Sequence, residues 1–425
     1  MRTHAVVAIV AAALLPATAG GLLTVPQEDR VRSRLTPASA SVSGDGRLVA
    51  LTSYAPLVPL DSDDLSDVYV VDPDSGRTSL VSDEVNIRAA FPRISENGRF
   101  VVFEQSPAQA GPVSVQLVIR DLTDGSVRRV GGLQGSWTGN GTVSSDGTVV
   151  VFSSSVTNLT AAPDQNRDAR DVYLLHMGSH VVRRASVDDR GIQPISGSSS
   201  APGVSGNGRF VVFTSTADLE PSQRSGSHGD PRSSSEARVY VRDSDLNVIR
   251  CITCRTTGAV RSSHSAAISA DGRYIAFVSE DSTLAGGDRN NAADVFLHDT
   301  QTNTTILVSR SAAGGAANGL SLNPAISSDG RFVAFQSDAS DLVCAGRCPP
   351  SEEDINLLPD VFVFDRVSGR IERVSSEPMR SWMEESVAPA ISGDGNVIVF
   401  SSRRPIDEQD VDHDFDLFIW RRTKD

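Results

Sequence analysis

Seven times along the chain, a Ser-x-Asp/Asn-Gly tetrapeptide runs straight into a block of apolar residues. The glycines fall at Gly46, Gly98, Gly147, Gly208, Gly272, Gly330 and Gly395. Their spacing averages about 58 residues, and self-similarity at such a period marks a repeat architecture. Between turns the apolar positions come in short blocks, with no sustained period of 3.6 outside the extreme N-terminus. The sixth unit shows the pattern clearly. Pro324-Ala325-Ile326 enters the turn, and Arg331-Phe332-Val333-Ala334-Phe335 leaves it. Asp360-Val361-Phe362-Val363-Phe364-Asp365 follows, then, after Ser368-Gly369, Ile371-Glu372-Arg373-Val374-Ser375. Glycine in the turn supplies the positive φ of a tight hairpin. Each unit therefore reads as four antiparallel strands. Seven such units predict an all-β chain, a single seven-bladed β-propeller of four-stranded antiparallel blades.

The seventh unit stops soon after its third block, Leu417-Phe418-Ile419-Trp420. A spare strand-like segment, Asp29-Arg30-Val31-Arg32-Ser33-Arg34, precedes the first unit and matches fourth-strand segments such as Val127-Arg128-Arg129-Val130. This N-terminal strand is expected to complete the last blade and remove an open edge. The propeller then spans residues 20–425.

The unit resembles the WD40-like repeat of the TolB-type propellers. The resemblance rests on Ser269-Ala270-Asp271-Gly272-Arg273-Tyr274-Ile275-Ala276-Phe277 and Asp294-Val295-Phe296, and it extends over about residues 29–420. It implies the fold, and little of the function, because propellers host many activities. Two departures stand out. The proline of the family's turn is missing in all seven copies, and the repeats start too early to leave room for the extra N-terminal domain of TolB.

Composition changes the picture in two ways. A chain of 425 residues would ordinarily suggest about three domains, and the repeat replaces that estimate with one ring. The 53 acidic residues outnumber the 39 basic ones, for a net charge of −14. That excess argues against nucleic acid as a partner. Arg2, the apolar run Ala5–Leu15 and Ala17-Thr18-Ala19 read as a signal peptide over residues 1–19, cleaved after Ala19. The alternative is an uncleaved anchor. No later run is long enough to span a bilayer, so no stable membrane insertion is expected. The expected location is periplasmic, cell-envelope or extracellular. Cysteines come as two close pairs, Cys251 with Cys254 and Cys344 with Cys348. In an exported chain these read first as local disulfides, with free or cross-paired thiols and a zinc site as alternatives.

Strand alternation puts the short turns on one face. The long second-to-third loops and the blade connections lie on the other, where binding is expected. Those loops include Gly178–Ala201, Ser376–Pro389 and the insertion Glu220–Glu236. They also carry a recurring acidic pattern. Asp61, Asp63 and Asp67 are repeated as Asp288, Asn290 and Asp294, as Asp354, Asn356 and Asp360, and as Asp410, Asp412 and Asp416. Asp164, Asn166 and Asp171 fit with one extra residue. Alternating Asp/Asn oxygens ahead of an anchored carboxylate suit Ca²⁺, although the glycine and glutamate of an EF-hand are missing. The competing reading is Asx-turns without metal.

The chain has no Gly-x-Ser-x-Gly, no His-Glu-x-x-His and no phosphate-binding glycine loop. Of its histidines, His264 is expected on a blade connection and His413 in an acidic loop, both on the long-loop face. The expected function is an exported, non-catalytic scaffold that binds a protein or glycan ligand through its long-loop face. The alternatives are a carbohydrate- or peptide-active enzyme at the channel mouth and a calcium-stabilised structural protein of the envelope.

Overall fold

A computed structural model describes residues 28–35, 40–82, 84, 86–108, 114–167, 169–220, 236–254, 261–344, 358–375, 385–404 and 414–422. These residues contain strands and no helix, so no helix among them is long and apolar enough to cross a membrane. The strands form seven four-stranded antiparallel sheets. Blade 5 is typical, with strands Ser263–Ile268, Tyr274–Ser279, Asp294–Asp299 and Thr304–Leu307. The first strands of successive blades touch one another around a closed circle, so they line the central channel. The last blade takes its fourth strand from the N-terminus. Glu28–Leu35 pairs antiparallel with Phe415–Arg421, and closure is as expected.

Second and third strands are buried on both faces because each face meets a neighbouring blade. Val149–Ser154 and Tyr274–Ser279 are buried at every position. Seven apolar clusters result, one per blade interface, and one of them joins Val399 and Leu417 of blade 7 to Leu51 and Tyr69 of blade 1. Five blades add a stacked aromatic pair across their middle strands, such as Phe277 with Phe296 at 5.8 Å. Cys251 and Cys254 close a disulfide at the end of an outer strand, and Cys344 is also disulfide-bonded.

The turn motif has a local cause. In blade 5 the Ser269 hydroxyl donates to Asp271 Oδ1 at 2.6 Å and accepts from the Tyr274 amide at 2.9 Å. The Arg273 amide donates to the same Asp271 oxygen at 2.9 Å. The corresponding serine-to-Asp/Asn bond recurs in all seven turns.

The residue after this turn is arginine in several blades, and it reaches the aspartate that ends the third strand. Arg99–Asp121, Arg209–Asp243, Arg273–Asp299 and Arg331–Asp365 form such pairs at 2.6–2.9 Å. Hydrogen bonding from each arginine holds its aspartate below the ordinary range, Asp365 at about 2. A depressed acid contributes stability above its unfolded pKa and loses it as pH falls through the folded one. The thermal midpoint is therefore expected to fall between pH 4 and pH 2. The fall should be shallower in the Arg273→Gln/Arg331→Gln double variant and in high salt, since the arginines are partly exposed. A pH series by differential scanning fluorimetry reads it, and identical slopes in variant and parent would remove the pairs as the cause.

Candidate functional site

The two ends of the channel are built differently. At the short-turn end, the residues following each turn serine bond to the next blade. Gly44 N donates to Glu96 O, Asn97 N to Ser145 O, Ser145 N to Gly206 O and Gly206 N to Ala270 O. Ala270 N donates to Ser328 O, Ser328 N to Gly393 O and Asp394 N back to Gly44 O. Seven backbone bonds of 2.9–3.2 Å thus close a ring. Small side chains allow this approach; a Cβ on Gly206 would meet Ala270 Cβ at 2.8 Å. Glu96 alone is long at these positions, and it crosses the channel to accept a hydrogen bond from Ser328 of blade 6. The short-turn end is narrowed and bridged.

Toward that end the inner strands are bulged. Phe91, Asn140, Ala201, Ser265, Asn323 and Ala388 have φ between 49° and 56°, one per blade in blades 2 to 7. Each coincides with a register shift against the second strand. Bulges re-aim side chains and leave a backbone group unpaired. Two of those groups are capped from the preceding blade. Glu104 Oε1 accepts the Asn140 amide at 2.8 Å, and Gln336 Oε1 accepts the Ala388 amide at 2.8 Å. Gln336 also accepts from the Asn323 side chain at 2.9 Å.

An inner strand has blades on both sides, so its exposed side chains can reach only the channel. Phe91 is 47% exposed, and Asn140, Asn323 and Arg93 are exposed too. Glu104 is half-buried beside them. Burial raises its pKa, opposed by the Asn140 amide and by the charges of Arg170 and Arg93. Arg170 lies 4.0 Å over the Trp137 ring. The blade 2–blade 3 side of the mouth therefore holds a carboxylate between two guanidiniums, with the Trp137 indole, the exposed Phe91 ring and Asn140 on the same two blades. Glu104 and Gln336 stand where the other second strands carry Thr52, Ser153, Thr214, Val278 and Ser401. That departure was the available signal in the sequence for both residues.

The acidic loops show a different chemistry in each blade. Asp67, Asp171, Asp294 and Asp360 each accept a hydrogen bond of 2.6–2.7 Å from the serine after the fourth strand, Ser82, Ser186, Ser309 and Ser375. That bond latches the fourth strand to the third. Burial raises Asp67, Asp171 and Asp294 to about 6. In blade 1, ligand oxygens of Asp61, Asp63 and Asp67 lie within 4.8 Å of one another. Tyr69 donates to Asp61, and the Leu65 and Asn86 amides donate to Asp63. In blade 3, Asp164, Asn166 and Asp171 converge on the Gln193 side-chain nitrogen at 2.6–2.8 Å. In blade 5, Asp294 accepts the Ser309 hydroxyl on Oδ1 and has the Asn290 side chain close by, and neither oxygen of Asp288 has a partner at full hydrogen-bond geometry, although the Asn290 amide lies near it. Asp360 and Asp416 are buried, whereas Asp354, Asn356, Asp410 and Asp412 lie outside the described residues.

His264 is not on a blade connection as expected. It belongs to the inner strand Ser263–Ile268, half-buried, with burial lowering its pKa. His298 is buried in a third strand against Thr305 Oγ1 at 3.0 Å, and burial lowers it too. His413, Cys348, the segment read as a signal peptide and nearly all of Glu220–Glu236 lie outside the described residues.

At the level of sequence, no protein-family model and no curated protein matches the chain. Solved structures do resemble it. An oligogalacturonate lyase in complex with manganese shares 14% identity over 94% of each chain, with a TM-score of 0.55. One of two prolyl endopeptidases shares 14% identity over 87% of this chain and 47% of that one, with a TM-score of 0.50. A TolB structure from Agrobacterium tumefaciens shares 16% identity over 82% of this chain and 96% of that one, with a TM-score of 0.42. These neighbours correct one expectation. The lack of hydrolase and protease motifs points to a non-catalytic chain, yet a lyase and a peptidase use this fold, so the missing motifs are no ground for that reading. At such identities the likeness reaches the fold and no further: the chain is a seven-bladed β-propeller, the architecture that its repeat implied.

Proposed function

We propose that this chain is an exported β-propeller that takes a protein segment or a glycan at the long-loop mouth of its central channel. The asymmetry of the channel carries the reading. One end is ringed by backbone bonds and crossed by Glu96, while the inner strands toward the other present Phe91, Asn140 and Asn323. An exposed aromatic with polar amides elsewhere on the same channel wall suits a site that orients a polar ligand through a few placed groups. Export is supported by the Ala5–Leu15 run before Ala17-Thr18-Ala19 and by the Cys251–Cys254 disulfide, which suits an oxidising compartment. The test is surface plasmon resonance against a panel of envelope glycans and peptides. Phe91→Ala is expected to weaken binding about tenfold or more, since aromatic anchors dominate such sites. Its thermal midpoint should move by less than about 2 °C, as the side chain is exposed. Unchanged binding in that variant removes the mouth as the site.

A second reading, an enzyme acting on a carbohydrate or peptide at the same mouth, has one observation in its favour. Glu104 is a half-buried carboxyl with a raised pKa, flanked by the charges of Arg93 and Arg170. Such a group suits proton transfer. Turnover of a panel member, lost in Glu104→Gln while binding persists, would select this reading over simple capture.

A further inference from the structure

The acidic loops of blades 3 and 5 occupy the same place in the repeat and are neutralised in opposite ways. In blade 3 three oxygens point at one nitrogen. Gln193 Nε2 sits 2.8 Å from Asp164 Oδ1, 2.7 Å from Asn166 Oδ1 and 2.6 Å from Asp171 Oδ2. An amide has two hydrogens, so this cup offers more acceptors than the amide can satisfy. Arg184 completes the arrangement, donating to Gln193 Oε1 at 2.5 Å and lying 3.4 Å from Asp171 Oδ2. The chain thus places its own positive groups where the oxygens meet.

Blade 5 has the matching acidic loop without either of these groups. Arg184 pairs with Tyr173 across the third and fourth strands, and in blade 5 the same register pairs Leu307 with Phe296. Gln193 stands two residues after Gly191, whose amide closes a turn on Asp188. In blade 5 the matching turn closes from Gly314 onto Ser311, and Ala316 stands in the place of Gln193. What remains is buried and only partly paired, since Asp294 keeps the Ser309 bond on Oδ1. Asp288 is 6% exposed and Asp294 fully buried. Both oxygens of Asp288 and the Oδ2 of Asp294 lack a hydrogen-bond partner. Asn290 lies between them in the loop, its Oδ1 accepting from the Ala292 amide and its Nδ2 donating to Ala317 O. Buried charge without a partner is costly, and buried charges are ordinarily paired or coordinate a metal.

We propose that the second-to-third loop of blade 5 binds a hard divalent cation of the calcium class through the carboxylates of Asp288 and Asp294. Asn290 Oδ1 has a second lone pair to offer, and water supplies the positions that a six- to eight-coordinate ion still needs. The site is separate from the channel mouth and does not depend on what binds there.

The test compares the full chain with Asp288→Asn at pH 7.5, in EDTA and in CaCl₂. Calcium is expected to raise the midpoint of the parent by about 4 °C at a hundredfold excess over Kd. In EDTA, Asp288→Asn should be at least as stable as the parent, because the amide removes an unpaired charge. In calcium it should gain less than the parent. Isothermal titration of CaCl₂ gives a second measurement, in which the variant binds one ion fewer. An equal gain in both proteins, an equal stoichiometry, or no calcium binding by the parent would each overturn the proposal.

Discussion

A chain that starts after Leu35 is expected to unfold in a single transition whose midpoint lies about 10 °C or more below that of the full chain. The strand it loses, Glu28–Leu35, is the outer strand of blade 7, paired so that Glu28 faces Trp420, Asp29 faces Ile419 and Arg30 faces Phe418. Phe418 and Trp420 belong to the cluster between blades 6 and 7, and Leu417 and Ile419 to the cluster between blades 7 and 1. Removing the strand leaves the backbone groups of Phe415–Arg421 unpaired on one side. It therefore weakens two interfaces at once, and the loss is carried around the ring through shared cores. The exposed edge is also a template for pairing with another chain. Calorimetry with size-exclusion chromatography checks both consequences. A midpoint equal to that of the full chain would mean that closure contributes nothing to stability.

The propeller was legible because its signals are local and repeated. Each hairpin needs a serine hydroxyl, an Asp or Asn oxygen and a glycine in fixed order, and those residue types appear in the sequence seven times over. Closure was legible for the same reason, from an unmatched strand at each end. The bridged end of the channel was not. Its ring runs through backbone groups of Gly44, Ser145, Gly206, Ala270, Ser328 and Gly393, where the sequence shows only that the side chains are small. The acidic loops were half legible. The pattern Asp-x-Asn-x-x-x-Asp places oxygens in one loop, but it does not reveal that Ser309 claims one oxygen of Asp294, or that Gln193 gathers the oxygens of blade 3 while those of Asp288 in blade 5 lack such a partner. Those partners come from the following blade connection, where serine and glutamine carry no distinctive pattern. The position of His264 was not legible because Ser263–Ile268, with its polar start and its bulge, does not read as a strand.

The turn glycines serve two purposes, and substitution separates them. Gly272 has a φ of 76°, which disfavours any other residue. It also sits against the preceding blade, where a Cβ would lie 2.2 Å from Phe210 Cδ2. Phe210 has little room to retreat, since the Arg209 guanidinium covers its ring at 4.9 Å. Gly272→Ala should therefore pay for both the dihedral and the overlap, about 2–4 kcal/mol in all. Gly125 isolates the first term: its φ is 74°, and a Cβ added there would meet nothing within 4 Å. Gly125→Ala is expected to cost only about 1 kcal/mol. Gly272→Asn isolates the second, because asparagine tolerates the left-handed region; it should still cost about 1–3 kcal/mol through overpacking. Urea unfolding of the three variants reads these differences as shifts in midpoint at constant slope. If Gly272→Ala costs no more than Gly125→Ala, the glycine is there for the turn alone. The contact with Phe210 would then play no part in holding blade 5 against blade 4.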